Sequence, residues 1–182
     1  MQNVRVFFEK TGMTKYISHL DLMRCMTRAI KRAAIPAWYT EGFNPHLFIT
    51  FALPLTLGVE SLCESMDIRL TEEMGFEEVK NRLNVNLPDG IRITNVAVPV
   101  YKANDIAFAE YKITFHTRKN EKIKNEIEEK LLGDELLAEK MGKQGKRKVL
   151  KTINLKEFVN SYSVISLNDK TVLTAVLTAG SK

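Results

Sequence analysis

Apolar and polar residues alternate at the start of the chain, where Val4-Arg5-Val6 runs into Phe7-Phe8. This is the period of two that a strand covered on one face requires, and Thr11-Gly12 follows as a turn. After Ser18 the period lengthens. Met23, Cys25, Met26, Ile30, Ala33 and Ala34 supply most of one helical stripe, while Arg24, Arg28, Lys31 and Arg32 recur every three or four residues on another. Ser18 and Asp21 have the spacing of a capping box, in which the serine oxygen takes a free backbone N–H and the acid meets the positive helix end. The helix is expected from Leu20 to about Ala34, where Pro36 stops it. An extended stretch begins at Trp38, turns over Glu41-Gly42-Phe43-Asn44-Pro45-His46, and continues as an apolar strand from Leu47 to Leu53. A turn at Gly58 to Ser61 leads to a strand at Ser65 to Leu70. Phe76, Val79 and Leu83 then mark a second helix, Pro88-Asp89-Gly90 ends it, and Ile91 to Val100 reads as a fourth strand.

The order strand, helix, strand, strand, helix, strand is that of a ferredoxin-like lobe, an antiparallel sheet with two helices on one face. The second half starts the same way. A strand at Glu110 to Thr117 precedes a charged helix at Lys119 to Leu132, and strands follow near Lys148 to Leu155, Tyr162 to Ser166 and Val172 to Leu177. The expectation is an α+β chain: a ferredoxin-like lobe over 1–102, then a second, degenerate or truncated α+β lobe over 103–182 with antiparallel sheets and helices on one face.

Composition narrows the class. The 182 residues are 45% hydrophobic and 27% charged, which is globular and excludes disorder and collagen-like repeats. Apolar runs such as Phe48 to Leu57 fall short of the roughly 20 residues a membrane helix needs, and no basic-then-apolar leader opens the chain. A soluble, cytoplasmic protein without a membrane partner is expected. Cys25 and Cys63 are too few for a disulfide framework or a thiolate zinc site, so both are expected to be packed thiols.

Charge is distributed unevenly. Lys140, Lys143, Lys146, Arg147, Lys148 and Lys151 fall in one acid-free segment of a chain whose net charge is +5. With Gly142 and Gly145, this segment reads as a flexible basic arm. Arg24, Arg28, Lys31 and Arg32 form the other cationic set, able to follow a nucleic-acid backbone along one helix face. Lys31, Lys143, Lys146, Arg147 and Lys148 are the nucleic-acid candidates, with RNA the favoured ligand; the plain alternative is a solvated helix face and a soluble hairpin tip.

Polar chemistry gathers around His19, Asp21, Asn44 and His46. Two histidines and an aspartate can hold a metal, but Asp21 is accounted for as a cap, His46 can tie its own turn, and no close ligand spacing is present; no metal is expected. Gly42 to His46 is either a recognition loop or a turn that buries Phe43, and both readings stand at this point. A small-molecule or metal-dependent enzyme would use a pocket of His19, Asn44, His46 and Glu64.

Residues 15–67 carry Lys-Tyr-Ile-Ser-His-Leu-Asp-Leu-Met-Arg, Tyr-Thr-Glu-Gly-Phe-Asn-Pro-His, Phe-Ala-Leu-Pro-Leu-Thr-Leu-Gly-Val-Glu-Ser and Glu-Ser-Met-Asp. These motifs resemble the bacterial family of radical SAM-linked, or radical SAM-associated, proteins, a domain of unknown function. The resemblance implies an accessory role beside a radical SAM enzyme, the partner carrying the [4Fe–4S] cluster and S-adenosylmethionine. Radical SAM centres need three closely spaced thiolates, and two distant cysteines do not supply them, so this chain is not expected to be the radical enzyme itself or to bring a cofactor of its own. No catalytic residue is assigned. The ligand- or partner-binding candidates are Ser18, His19, Asp21, Arg24, Arg28, Arg32, Gly42, Phe43, Asn44, His46, Ser61 and Glu64. The functional expectation is a non-catalytic module that docks the partner or presents RNA to it.

Overall fold

In the computed structural model, which describes residues 1–145 and 147–179, the opening alternation becomes the nine-residue strand β1 (Gln2–Lys10). Val4, Val6, Phe8 and Lys10 share its buried face, each no more than 1% exposed. A 3-10 turn at Gly12–Tyr16 carries the chain to helix α1 (His19–Arg32). Ser18 Oγ accepts the Asp21 N–H at 3.1 Å and donates to the Asp21 carboxylate at 2.7 Å, so the acid closes on the serine hydroxyl rather than on the backbone. The helix buries Leu22, Met26, Ala29 and Ile30. Ala34, expected in the apolar stripe, is instead exposed in the left-handed region at φ 50°, where its N–H reaches the Lys31 carbonyl and ends the helix.

Strands β2 (Ile49–Phe51), β3 (Ser61–Leu70) and β4 (Ile91–Ala97) join β1, and helix α2 (Phe76–Asn86) precedes β4. The sheet order is β2-β3-β1-β4, with every neighbouring pair antiparallel. The apolar residues of both helices meet one sheet face in a single core, with Val4, Val6, Phe8, Met66, Ile68, Leu70, Ile91 and Ile93 at its centre. The expected strand Leu47 to Leu53 is cut to three residues for a local reason. The Thr40 N–H bonds the His46 carbonyl and the Phe48 N–H bonds the Trp38 carbonyl, so 38–40 and 46–48 pair with each other.

Two register shifts shape β1's partners. Phe7 faces Asn95 while Phe8 faces Ile93, which keeps Ile93 and Val96 on the buried side although three residues separate them. On the other edge Phe8 faces Glu64 while Lys10 faces Ser61. That second bulge brings Ser61 to the face of Lys10 and turns Leu62 and Cys63 to solvent, so Cys63 is exposed and not the packed thiol expected. Only Cys25 packs against the core.

The chain divides into two compact units, Met1–Ile106 and Ala107–Lys182. In the second, β5 (Phe108–His116), β8 (Val159–Leu167) and β9 (Lys170–Thr178) form a sheet of order β5-β9-β8, and helix α3 (Asn120–Leu132) packs on β8 and β9. Asn120 starts that helix and ties it to the sheet, donating to the Leu167 carbonyl at 2.5 Å and accepting from Thr171 Oγ1 at 3.1 Å. The basic segment is not the flexible arm expected. It folds as an antiparallel hairpin, β6 (Leu137–Gln144) and β7 (Arg147–Asn154), in which Lys140 faces Lys151 and Lys143 faces Lys148. Met141 faces Leu150 across the ladder, and Gly142 faces Val149. Among the described residues no helix is long and apolar enough to cross a membrane.

Ala34 yields a direct prediction. A left-handed residue with a Cβ costs about 1–2 kcal/mol relative to glycine, partly offset by the greater freedom of glycine when unfolded. Ala34→Gly is expected to raise the urea midpoint of the first unit, a gain of about 0.5–1 kcal/mol.

Candidate functional site

Helix α1 carries Arg24, Arg28 and Arg32 one turn apart on its exposed side. With Val85, Asn86, Leu87 and Pro88 opposite, they line an open groove of about 630 Å³. Its walls are tied together. Arg32 donates to the Asn86 carbonyl at 2.6 Å, and Arg82 of α2 donates to the Ala33 and Ala34 carbonyls at the end of α1 while pairing with Glu78 at 2.5 Å. Arg24 pairs with Asp21 at 3.2 Å. Among the described residues Arg28 has neither a hydrogen-bond nor an ion-pair partner, so the middle of the row presents an uncommitted guanidinium. Cys25 also lines the groove. Burial pushes its thiol up, while Arg32 and Arg28 pull it down less strongly, so it is held as a thiol rather than a nucleophilic thiolate.

A second polar group lies on the helix-covered face of the sheet. Lys10 is 1% exposed, and its ammonium has a single long contact, 3.4 Å to the Lys15 carbonyl. The bulge in β3 places Ser61 and Glu64 on the same face. Burial lifts the Glu64 carboxyl above its ordinary range, against the pull of Ser61, Lys10 and His19; burial also pushes the Lys10 ammonium down, opposed by Glu64. His19, at the first turn of α1, stands edge-on to Phe51 at 5.0 Å, and its buried Nδ1 has no hydrogen-bond partner. A half-buried acid, a buried ammonium and an unpartnered imidazole nitrogen can hold and exchange a proton, or meet a small polar ligand.

Other candidates have partners of their own. His46 is committed to its own loop, its Nδ1 lying 3.0 Å from Thr40 Oγ1 and 3.2 Å from the Asn44 carbonyl. Gly42 takes φ 125°, and Phe43 is 106% exposed, so the loop does not bury its aromatic ring. Ser18 and Asp21 cap α1. Lys31 sits 5.4 Å from the centre of the Tyr39 ring. Arg147 and Lys148 are exposed on β7, Lys143 lies on β6, and Lys146 falls outside the described residues. Among the described residues no group of three His, Cys, Asp or Glu side chains could hold a metal ion.

The structure adds two features the candidate set lacked. Lys10 is one; its signal was a lysine in phase with Val4, Val6 and Phe8. Thr40 is the other, since its side chain accepts the His46 N–H at 3.1 Å and so closes the loop, a role no spacing rule identifies.

A family model described as an uncharacterized protein conserved in bacteria (DUF2344) matches residues 3–182. The chain belongs to this family. No curated protein matches it. The family span includes the arginine row and the Lys10–Glu64 group alike, so both are features of a DUF2344 domain.

Lys10 and Glu64 are expected to be energetically coupled. Losing either partner leaves the other buried group undercompensated, at about 1–3 kcal/mol for Lys10→Met or Glu64→Gln, and the double variant should cost less than the two together. Denaturant unfolding of the four proteins measures the coupling, and strict additivity would exclude it. The raised Glu64 value means the folded state holds the proton more tightly. Its contribution is therefore fully present below the ordinary value of 4.5 and is lost as pH rises through the raised value. Glu64→Gln should flatten that part of the stability profile.

Proposed function

We propose that this DUF2344 chain is a non-catalytic binding module that holds RNA by its phosphate backbone and serves a radical SAM enzyme. The observation that carries the RNA half is the α1 row, three arginines at one-turn spacing beside an open groove with Arg28 uncommitted at its centre. Guanidinium groups pair with phosphate oxygens in two-pronged fashion, and a four-residue step spaces them about 6 Å apart, near the separation of successive phosphates in an extended strand. Such contacts supply affinity without reading sequence. The partner half rests on the motif resemblance between residues 15 and 67. The cluster and S-adenosylmethionine belong to that partner, and a cytoplasmic setting goes with both ligands. We read the first unit as ferredoxin-like, which the strand order β2-β3-β1-β4 supports, and the second as a degenerate copy of it.

A second reading, a small-molecule enzyme, has one observation in its favour: the unpartnered His19 Nδ1 near Lys10 and Glu64. His46 is taken up within its own loop by Thr40 and the Asn44 carbonyl.

The RNA reading is tested by titrating labelled RNA at several salt concentrations. Arg28→Glu should weaken binding at least tenfold at low salt and reduce the salt slope by about one, because one phosphate contact is lost. Arg147→Glu with Lys148→Glu should act similarly if the hairpin also touches RNA. A wild-type chain that retains no RNA at low salt ends this reading.

A further inference from the structure

The segment from Trp38 to Phe48 is built as a rigid stalk that lifts one aromatic ring into solvent. Its base is anchored twice. Leu47 is only 4% exposed, and Trp38 and Phe48 pack at 5.6 Å beneath the Arg69 guanidinium, which lies 5.0 and 4.9 Å from the two ring centres. Above the base, Thr40 and His46 close the loop through three contacts of 2.8, 3.1 and 3.0 Å. At the apex Gly42 adopts φ 125°, a conformation that side chains disfavour, and Phe43 stands 106% exposed. A phenylalanine on a mobile loop can collapse onto the nearest apolar surface. Here the closed loop prevents that, so the ring is held in water where nothing in this unit covers it.

The surroundings of the stalk select what would cover the ring. Tyr39, the last residue of the stem before the closing threonine, has the Lys31 ammonium 5.4 Å from its ring centre, and Lys31 belongs to α1 one turn beyond Arg28. The stalk therefore rises beside the cationic helix. Charge at its foot favours a polyanion, and a single projecting ring fits one flat π-surface better than it fits a broad apolar face. We infer that Phe43 is a base-stacking finger for single-stranded RNA, working with phosphate contacts on α1. This rests on the RNA reading above and deepens it: a duplex keeps its bases stacked inside, so the finger specifies an unpaired strand.

The experiment is fluorescence anisotropy with a labelled 12-nucleotide mixed-sequence single strand and the matching 12-base-pair RNA duplex, using the whole chain. Phe43→Ala should weaken single-strand binding by about 5- to 100-fold, the range of one lost base–aromatic stack, leave duplex binding unchanged and leave the salt slope unaltered. Phe43→Trp should keep the affinity. Arg28→Glu should weaken both RNAs and lower the slope. A thermal melt shows whether Phe43→Ala still folds, and the full exposure of the ring predicts no change. If Phe43→Ala binds the single strand like wild type while Arg28→Glu does not, the finger is wrong and the RNA reading survives; this includes the case in which Phe43→Ala loses a protein partner instead. Equal weakening on single strand and duplex also overturns stacking. Failure of the wild-type chain to bind either RNA at low salt removes both.

Discussion

The first unit depends on the central position of β1. It is bonded to β3 on one edge and β4 on the other, and its even-numbered residues form the floor on which α1 and α2 pack. A strict period of two forces Lys10 to the same face as Val4, Val6 and Phe8, because no bulge interrupts β1 itself; the irregularities fall on its partners. A lysine held there is costly to bury. The fold answers that cost by bulging β3, so that Ser61 faces Lys10 while Glu64 stays on the same side. The same bulge exposes Leu62 and Cys63. One constraint thus accounts for the buried polar group, the exposed thiol and the place where regular pairing between β1 and β3 breaks.

Elements marked by their own local chemistry were legible in the sequence. The Ser18 cap, the start of α2 at Phe76 and the strand ending at Leu70 all lie where side-chain spacing and turn residues put them. The misplaced elements are those decided by backbone pairing rather than by side-chain spacing. Leu47 to Leu53 has the composition of a strand, but the bonds between Trp38 and Phe48 and between Thr40 and His46 divert Leu47 and Phe48 into a local hairpin. The strand expected near Lys148 to Leu155 is β7, but its partner β6 was hidden, because lysine and glycine leave 140–145 with little apolar pattern. At the candidate site, the arginine row follows from helical period alone, whereas the Lys10–Glu64 group requires knowing the β1–β3 register, and the commitment of His46 to Thr40 requires knowing how the 40–46 loop closes.

The second unit repeats part of the plan with less apolar burial. Its order β5-β9-β8 matches β1-β3-β2, each beginning with a strand that leads into a helix. Yet among its described residues only Val172 and Ala175 are buried apolar side chains, while Ile113, Phe115, Ile165 and Leu167 range from 36% to 55% exposed. Here α3 packs on β8 and β9, whereas in the first unit α2 covers β4 at the far edge. The polar link from Asn120 to Leu167 and Thr171 consequently takes a larger share in holding helix to sheet. Buried hydrogen bonds of this sort contribute on the order of 1 kcal/mol each, far less than a filled apolar layer.

This difference bears on where binding energy is best placed. On β6 and β7, Lys140 and Lys151 face each other across the ladder, so each cation raises the cost of its neighbour and the hairpin gains when a counterion separates them. The α1 cations are arranged differently. Arg24 and Arg32 are already oriented by Asp21 and the Asn86 carbonyl, and the helix beneath them belongs to the better-packed unit. A ligand meeting that row finds guanidinium groups whose rotamer freedom is partly lost before binding, with only Arg28 left to order, which lowers the entropic cost of each contact. The stalk at Phe43 follows the same rule, since its loop is closed without any ligand. On the RNA reading proposed above, charge already oriented on α1 and a ring held by its closed loop favour this helix over the more strongly charged hairpin as the principal contact surface.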